Sequence, residues 1–196
     1  MNILLLQQQL IAPQVNLSLI LPEIIVAVFG AIIMVIDSFY QNKRWASGTL
    51  SLVGLTAAAI STIFLWSNNG NNAGNDFNGM IILDGMRLSF TMIFLLVTAL
   101  TVLISTVWIE NENLPAAEYH CLLLFATVGM MLMASGNDLV IIFLGLETLS
   151  IATYVLAGLR RTDLRSNESS LKYFILGSFS SAFLLYGMAL TYGATG

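Results

Sequence analysis

The sequence predicts an all-α fold, a polytopic membrane helix bundle of about six transmembrane helices, forming one membrane domain over residues 1–196. Three observations carry this. Of the 196 residues 57% are hydrophobic and only 9% charged, where a soluble domain carries about a quarter charged residues. Six apolar runs follow one another, each close to the roughly 20 residues a helix needs to cross a bilayer. Polar and aromatic residues gather between the runs, as they do where helices leave the hydrocarbon. Six helices apolar on every side would leave a soluble protein almost no polar exterior.

The first run, Leu17 to Ile36, follows the lead-in "MNILLLQQQLIAPQVNL", which lacks the charged n-region of a secretory signal. Pro22 and Glu23 suit a helix's first turn. The second run spans Leu50 to Trp66, and "SNNGNNAGNDFNG" after it predicts an irregular polar loop with no face to bury. The third spans Leu88 to Trp108, with Asp84 and Arg87 at its mouth. The fourth, Cys121 to Ala134, is short, which leaves an extension backward through Tyr119 open; its "MMLM" reads as adaptable packing. The fifth spans Leu139 to Leu159, with Asp138 of "SGND" as its N-cap. The sixth spans Leu171 to Leu190 after "RTDLRSNESS", with Asn167 as the expected cap. In it Gly177 and Ser181, four apart, let another helix approach closely. Tyr40, Trp66, Trp108 and Tyr119 read as interfacial anchors, and Asp37 and Glu110 as boundary residues.

Lys43 and Arg44 lie between the first two helices, and Arg160, Arg161 and Arg165 between the last two. An even number of crossings puts both loops on one side, which the positive-inside rule makes cytoplasmic, with the N-terminus outside. The loops near 38–49 and 160–170 are therefore expected in the cytoplasm. "ENENLPAAEY" shares that side, its acidic residues weighing little in the rule.

Several function classes drop out. A net charge of −4 with seven Lys and Arg gives no basic stripe for nucleic acid. Cys121 and His120 are the sole residues of their types, so one copy builds neither a disulfide nor a conventional multi-ligand metal site. No phosphate-cradling loop or nucleophilic triad is legible, so any redox cofactor of an assembly containing this chain sits in another chain.

One letter of "FLGLETLS" resists the apolar pattern. From Asp138, Glu147 lies about 13.5 Å along the helix at 1.5 Å per residue, close to the middle of a hydrocarbon core about 30 Å thick. A charge at that depth costs at least ~2.5 kcal/mol. Desolvation favours the neutral acid unless a nearby cation restores the charged form. A carboxyl poised between those states is what a proton relay requires. Glu147, Ser150 and Tyr154 fall on one helical face, which leads hydroxyls toward the cytoplasmic side. The structural alternative is a protonated Glu147 that ties its helix to a neighbour by hydrogen bonds.

Lys172 is the second candidate, either on the proton path or snorkelling to the interface. Helical rise puts Glu147 about 18 Å from the end of helix five and Lys172 about 8 Å into helix six. That spacing disfavours a direct ion pair and leaves a water-bridged one open.

The stretch from "GNDLVIIFLGLETLSIATYVLAGLRRTDLRSNESS" through "LKYFILGSFSSAFLLYGMALTYGATG", residues 136–196, resembles the antiporter-like membrane subunits of respiratory complex I. Its last part is most similar to the N-type subunits of the bacterial NADH-quinone oxidoreductase. "LPEIIVAVFGAIIMVID" and "EYHCLLLFATVGMMLMASGNDL" fit the same group. The resemblance implies a bacterial inner-membrane protein in a complex whose other subunits hold FMN, iron-sulfur clusters and the quinone site, with no cofactor in this chain. It implies that Glu147 is the family's fifth-helix glutamate, with Lys172 matching a sixth-helix lysine less firmly. Family members have about twice as many helices in two inverted repeats, with further lysines in later helices, so a longer protein is expected of which these residues are the N-terminal part.

The leading expectation is therefore a proton-translocating subunit that couples electron transfer from NADH to quinone to proton movement. The rivals are the large subunit of a multisubunit cation/proton antiporter, without redox coupling, and a non-conducting structural membrane subunit.

Overall fold

The computed structural model describes residues 17–39, 44–69, 74–76 and 79–195. A 3-10 turn, Leu17–Ile20, leads into α1 (Leu21–Phe39), followed by α2 (Arg44–Asn69), β1 (Gly74–Asp76), β2 (Ile81–Leu83), α3 (Gly85–Asn111), α4 (Ala116–Ser135), α5 (Leu139–Ala157) and α6 (Leu164–Thr195). All six α-helices are long and apolar enough to cross a membrane. The protein is a multi-pass membrane helix bundle. The lead-in before Leu17, Tyr40 and Lys43 lie outside the described residues.

The core sits among α1 to α4, where Val26, Ile33, Leu55, Ala58, Val102, Leu124 and Met131 are buried together. The buried face of α3 recurs every three or four residues through Arg87, Thr91, Leu95, Thr98, Val102 and Ser105, the spacing that keeps one stripe against a bundle. Helix α5 packs on α4, and α6 packs on α5. Helix α6 has no buried residue, so most of its apolar surface outside its contact with α5 faces outward.

At the end where α1, α3 and α5 finish, here the basic end, Arg160 bonds Glu112 and Arg161 bonds Glu118, each at 2.6 Å. These pairs tie the α3–α4 connection and the first turn of α4 to the α5–α6 connection. Arg160 also lies 5.8 Å from the Trp108 ring centre, a cation–π contact at an exposed anchor. Asn113 turns the chain after α3 with φ 52°, a left-handed conformation asparagine tolerates.

The opposite end corrects one expectation. The loop before α3 carries a short antiparallel hairpin, with Gly74 opposite Leu83 and Asp76 opposite Ile81. Ile81 and Leu83 are buried, and Ile81 also bridges Gly136. Asn137 fastens the hairpin to the α4–α5 turn, its N–H donating to Met80 O at 2.8 Å and its Nδ2 to Gly79 O at 2.7 Å. Burial alternates along "IIL", with Ile81 and Leu83 inside, and this apolar strand supplies the anchor that the polar residues before it lack.

Helix ends move as well. Helix α2 starts at Arg44 rather than Leu50, α4 at Ala116, and α6 at Leu164 rather than Leu171. Asp163, not Asn167, caps α6. Its Oδ1 accepts from Arg165 N at 3.2 Å and its carbonyl from Asn167 N at 3.1 Å. Residues 164–170, expected in a loop, are therefore helix. Hydropathy marks how far a segment lies in hydrocarbon, and these helices continue into the polar interface.

Candidate functional site

Helix α5 is positioned from its N-terminus. Asp138 caps it as the sequence predicts, Oδ1 accepting from Val140 N at 2.7 Å. Glu147 then lies about 12 Å from the first residue and about 15 Å from the last at 1.5 Å per residue. Its depth is therefore close to the middle of the span.

Glycines set the spacing of α5 against α4. A Cβ on Gly129 would lie 2.6 Å from Gly145 O and from Leu149 N, and a Cβ on Gly145 would lie 2.8 Å from Gly129 O. The two backbones touch here, which only glycine permits. Gly145 and Leu149 mark the face of α5 turned to α4, and helical phase puts Glu147, between them, on the other face. That other face carries Tyr154, which is buried against α6. Its ring meets Tyr173 and Phe174 edge-on, with centroids 4.8 and 5.8 Å away. Its hydroxyl lies against Gly177, where a methyl group would overlap it. The expected close approach at Gly177 is thus an α5–α6 contact. Ser170 fastens the same two helices by donating to Tyr154 O at 2.7 Å.

The stripe read from the sequence is therefore present: Glu147, Ser150 and Tyr154 share one face of α5. Glu147 is half-buried, and its Oε1 is enclosed without a hydrogen-bond partner. Such an atom normally has one. Among the described residues Glu147 forms no ion pair. Lys172 is exposed on α6 and pairs with Glu168 one turn earlier. The structure does not bring the two candidates together.

Two buried polar groups went unnoticed in the sequence. Glu23 and Arg87 are 3% and 2% exposed and bond at 2.8 Å through Oε1 and Nη2. Arg87 also donates to Leu19 O at 2.8 Å and Ile82 O at 3.2 Å, closing the end of the bundle opposite the basic one. The second is His120, 1% exposed. Its Nδ1 donates to Ala116 O at 2.7 Å and lies 3.2 Å from Ser47 Oγ. Its Nε2 is buried without a partner. The available signals were the sole histidine of the sequence and an arginine, Arg87, set apart from the other basic residues, each beside an apolar run. At mid-depth Thr98 and Thr127 share a hydrogen bond of 2.8 Å between α3 and α4.

The fold defines the class, a polytopic membrane helix bundle, here with a glutamate at mid-depth of α5. Residues 136–196 match the family model described as "NADH:quinone oxidoreductase/Mrp antiporter, TM". Over the residues matched, the chain belongs to the antiporter-like membrane subunits of NADH-quinone oxidoreductase, and its similarity runs to subunit N. Subunit N of Trichlorobacter lovleyi is 43% identical over 183 residues, covering 93% of this chain and 37% of that protein. The chloroplastic NAD(P)H-quinone oxidoreductase subunit 2 of Zygnema circumcarinatum is 41% identical over 91% of this chain and 35% of its own length. A chain in the structure of respiratory complex I from Thermus thermophilus with bound aureothin superposes with a TM-score of 0.70 at 32% identity, covering 89% of this chain and 37% of that one. The chain thus spans little more than a third of these relatives' length.

Proposed function

We propose that the chain is part of a proton-translocating membrane subunit of an NADH-quinone oxidoreductase, in which Glu147 takes up and releases the proton. The observation that carries this reading is the Glu147 carboxyl at mid-depth of α5 with Oε1 enclosed and unpartnered. A carboxyl held that way exchanges a proton when a cation or a water chain approaches and withdraws, because the balance between its neutral and charged forms rests on that neighbour. The subunit N names of the relatives support the redox partner. FMN, iron-sulfur clusters and quinone would reside in other subunits of the complex, and this chain would contribute the proton path alone. Ser150 and Tyr154 extend the polar face from Glu147 toward the basic end; the excess of arginine there supports a bacterial cytoplasmic location for that end, with the N-terminus outside. Lys172, paired with Glu168 at the surface, sits at the entrance of that path rather than beside Glu147.

The test is Glu147→Gln in the full-length protein, assembled in its complex in membrane vesicles. Glutamine keeps size and hydrogen bonding but holds no exchangeable charge. NADH-driven proton pumping is expected to fall at least about tenfold, the loss expected for a group that shuttles protons. Wild-type pumping by a correctly assembled variant would end the role of Glu147. Proton transport independent of NADH oxidation would instead favour the cation/proton antiporter.

A further inference from the structure

The basic end of the bundle holds two cavities of about 250 Å3 each, and His120 lines one of them. One lies among α2, α3 and α4 and is lined in part by Gly48, Thr49, Thr106, Glu110 and His120. The other lies among α1, α2 and α4 and is lined in part by Asp37 and Ser47. Ser47 Oγ, 3.2 Å from His120 Nδ1, joins the wall that separates them.

The hydrogen bonds of His120 fix its chemistry. Ala116 O can only accept, so the 2.7 Å contact puts the proton on Nδ1. The neutral ring then presents Nε2 as a bare acceptor, enclosed and unpartnered. An orphaned acceptor beside a cavity that admits several waters calls for a donor from that cavity. Glu110 of α3 and Asp37 of α1 are the acids lining the two cavities, α2 contributes hydroxyls, and Tyr119 on α4 sets its ring edge-on at 5.5 Å.

We propose that the cavity among α2, α3 and α4 is a water-filled inlet on the basic face of the membrane, and that His120 is its proton-loading group. A hydronium in the cavity gives its proton to Nε2: one O–H bond breaks, one N–H bond forms, and water and an imidazolium remain. The proton on Nδ1 stays hydrogen-bonded to Ala116 O throughout, so the ring does not turn. Return of the Nε2 proton to cavity water restores the neutral ring. The site is separate from Glu147, which lies on α5 and faces away from α4. As an uptake site it rests on the proton-translocation reading, whereas its hydration does not.

His120 is the sole histidine of these residues, so hydrogen–deuterium exchange at its imidazole Cε1, read by mass spectrometry of the peptide from the full-length protein in its complex, reports on this site alone. The wild type is expected to exchange with a sigmoidal dependence on pH. Gly48→Val is expected to slow the exchange about tenfold or more by filling the cavity. A Cβ on Gly48 would lie 3.4 Å from Thr106 Cγ2 and 3.7 Å from His120 Cε1, so it fits and the valine methyls extend into the cavity. Thr106→Leu, which fills it from the opposite wall, is expected to do the same. Exchange that is flat with pH, or equal in the wild type and both variants, would overturn the inlet. The uptake role is read from pumping against pH on the basic face. His120→Gln is expected to lose pumping at a lower pH there than the wild type, and an unchanged profile would overturn it. A Glu147→Gln variant that still pumps leaves the exchange result standing, so failure of one reading is distinguishable from failure of the other.

Discussion

Arg87 shows what a single side chain does at the sealed end of the bundle. It holds one carboxylate oxygen and two carbonyls, so Arg87→Met leaves a buried acid and two buried acceptors without donors. Breaking a buried pair from one side costs about 3–5 kcal/mol, and the thermal midpoint of the full-length protein in detergent is expected to fall accordingly. Adding Glu23→Leu to that variant is expected to return part of the loss, because it removes the stranded acid but not the stranded carbonyls; the cycle should be non-additive. A fully additive double variant would mean that the two residues do not act as a pair. Glu147 was legible in the sequence because depth alone makes a carboxyl conspicuous. Glu23 and Arg87 were not, since each sits near a helix end where a charge is unremarkable. The tie between them joins residues 64 apart, and their burial depends on the 3-10 turn and the hairpin folding over them.

Among elements, α5 depends on small residues on both faces, Gly145 toward α4 and Gly177 of α6 toward Tyr154. Gly177→Ala would drive a methyl into the Tyr154 hydroxyl, and overpacking of this kind costs typically about 1–3 kcal/mol. Combining it with Tyr154→Phe, which removes the nearest atom, is expected to recover part of the loss. Combining it with Tyr154→Leu should recover more of the steric component, because the ring carbon behind the hydroxyl also lies inside contact distance. Thermal midpoints of the two doubles against Gly177→Ala check this, and equal losses in all three would show that α6 does not rest on Tyr154. The sequence revealed that Gly177 admits a helix but not which one. It showed the six helices because each buries a long apolar run in lipid. It missed several helix starts because the first turns of α2 and α6 are polar, and their extent is set by backbone hydrogen bonding and the Asp163 cap rather than by hydropathy.

At the scale of the whole molecule, the six spans divide into a four-helix core, α1 to α4, and a stacked pair, α5 and α6, whose outer apolar face has no described neighbour. The residues proposed for the proton path lie on that pair, while the two cavities near His120 lie in the core. Both readings need the basic end to face the compartment that supplies protons. The arginines argue for it, since cytoplasmic loops carry an excess of Lys and Arg, and the ion pairs of Arg160 and Arg161 put the α3–α4 connection at the same end. Single cysteines decide the orientation. Cys121 is buried and is the sole cysteine of these residues, so labelling of an introduced thiol stands out once any cysteine elsewhere in the full-length protein is replaced. Thr162 is exposed at the basic end and Asn68 at the other end of α2. With a membrane-impermeant maleimide added to intact cells stripped of their outer membrane, Asn68→Cys is expected to label and Thr162→Cys to label only after the membrane is opened. The reverse pattern would turn the bundle over, and the inlet at His120 would then open on the side where protons leave.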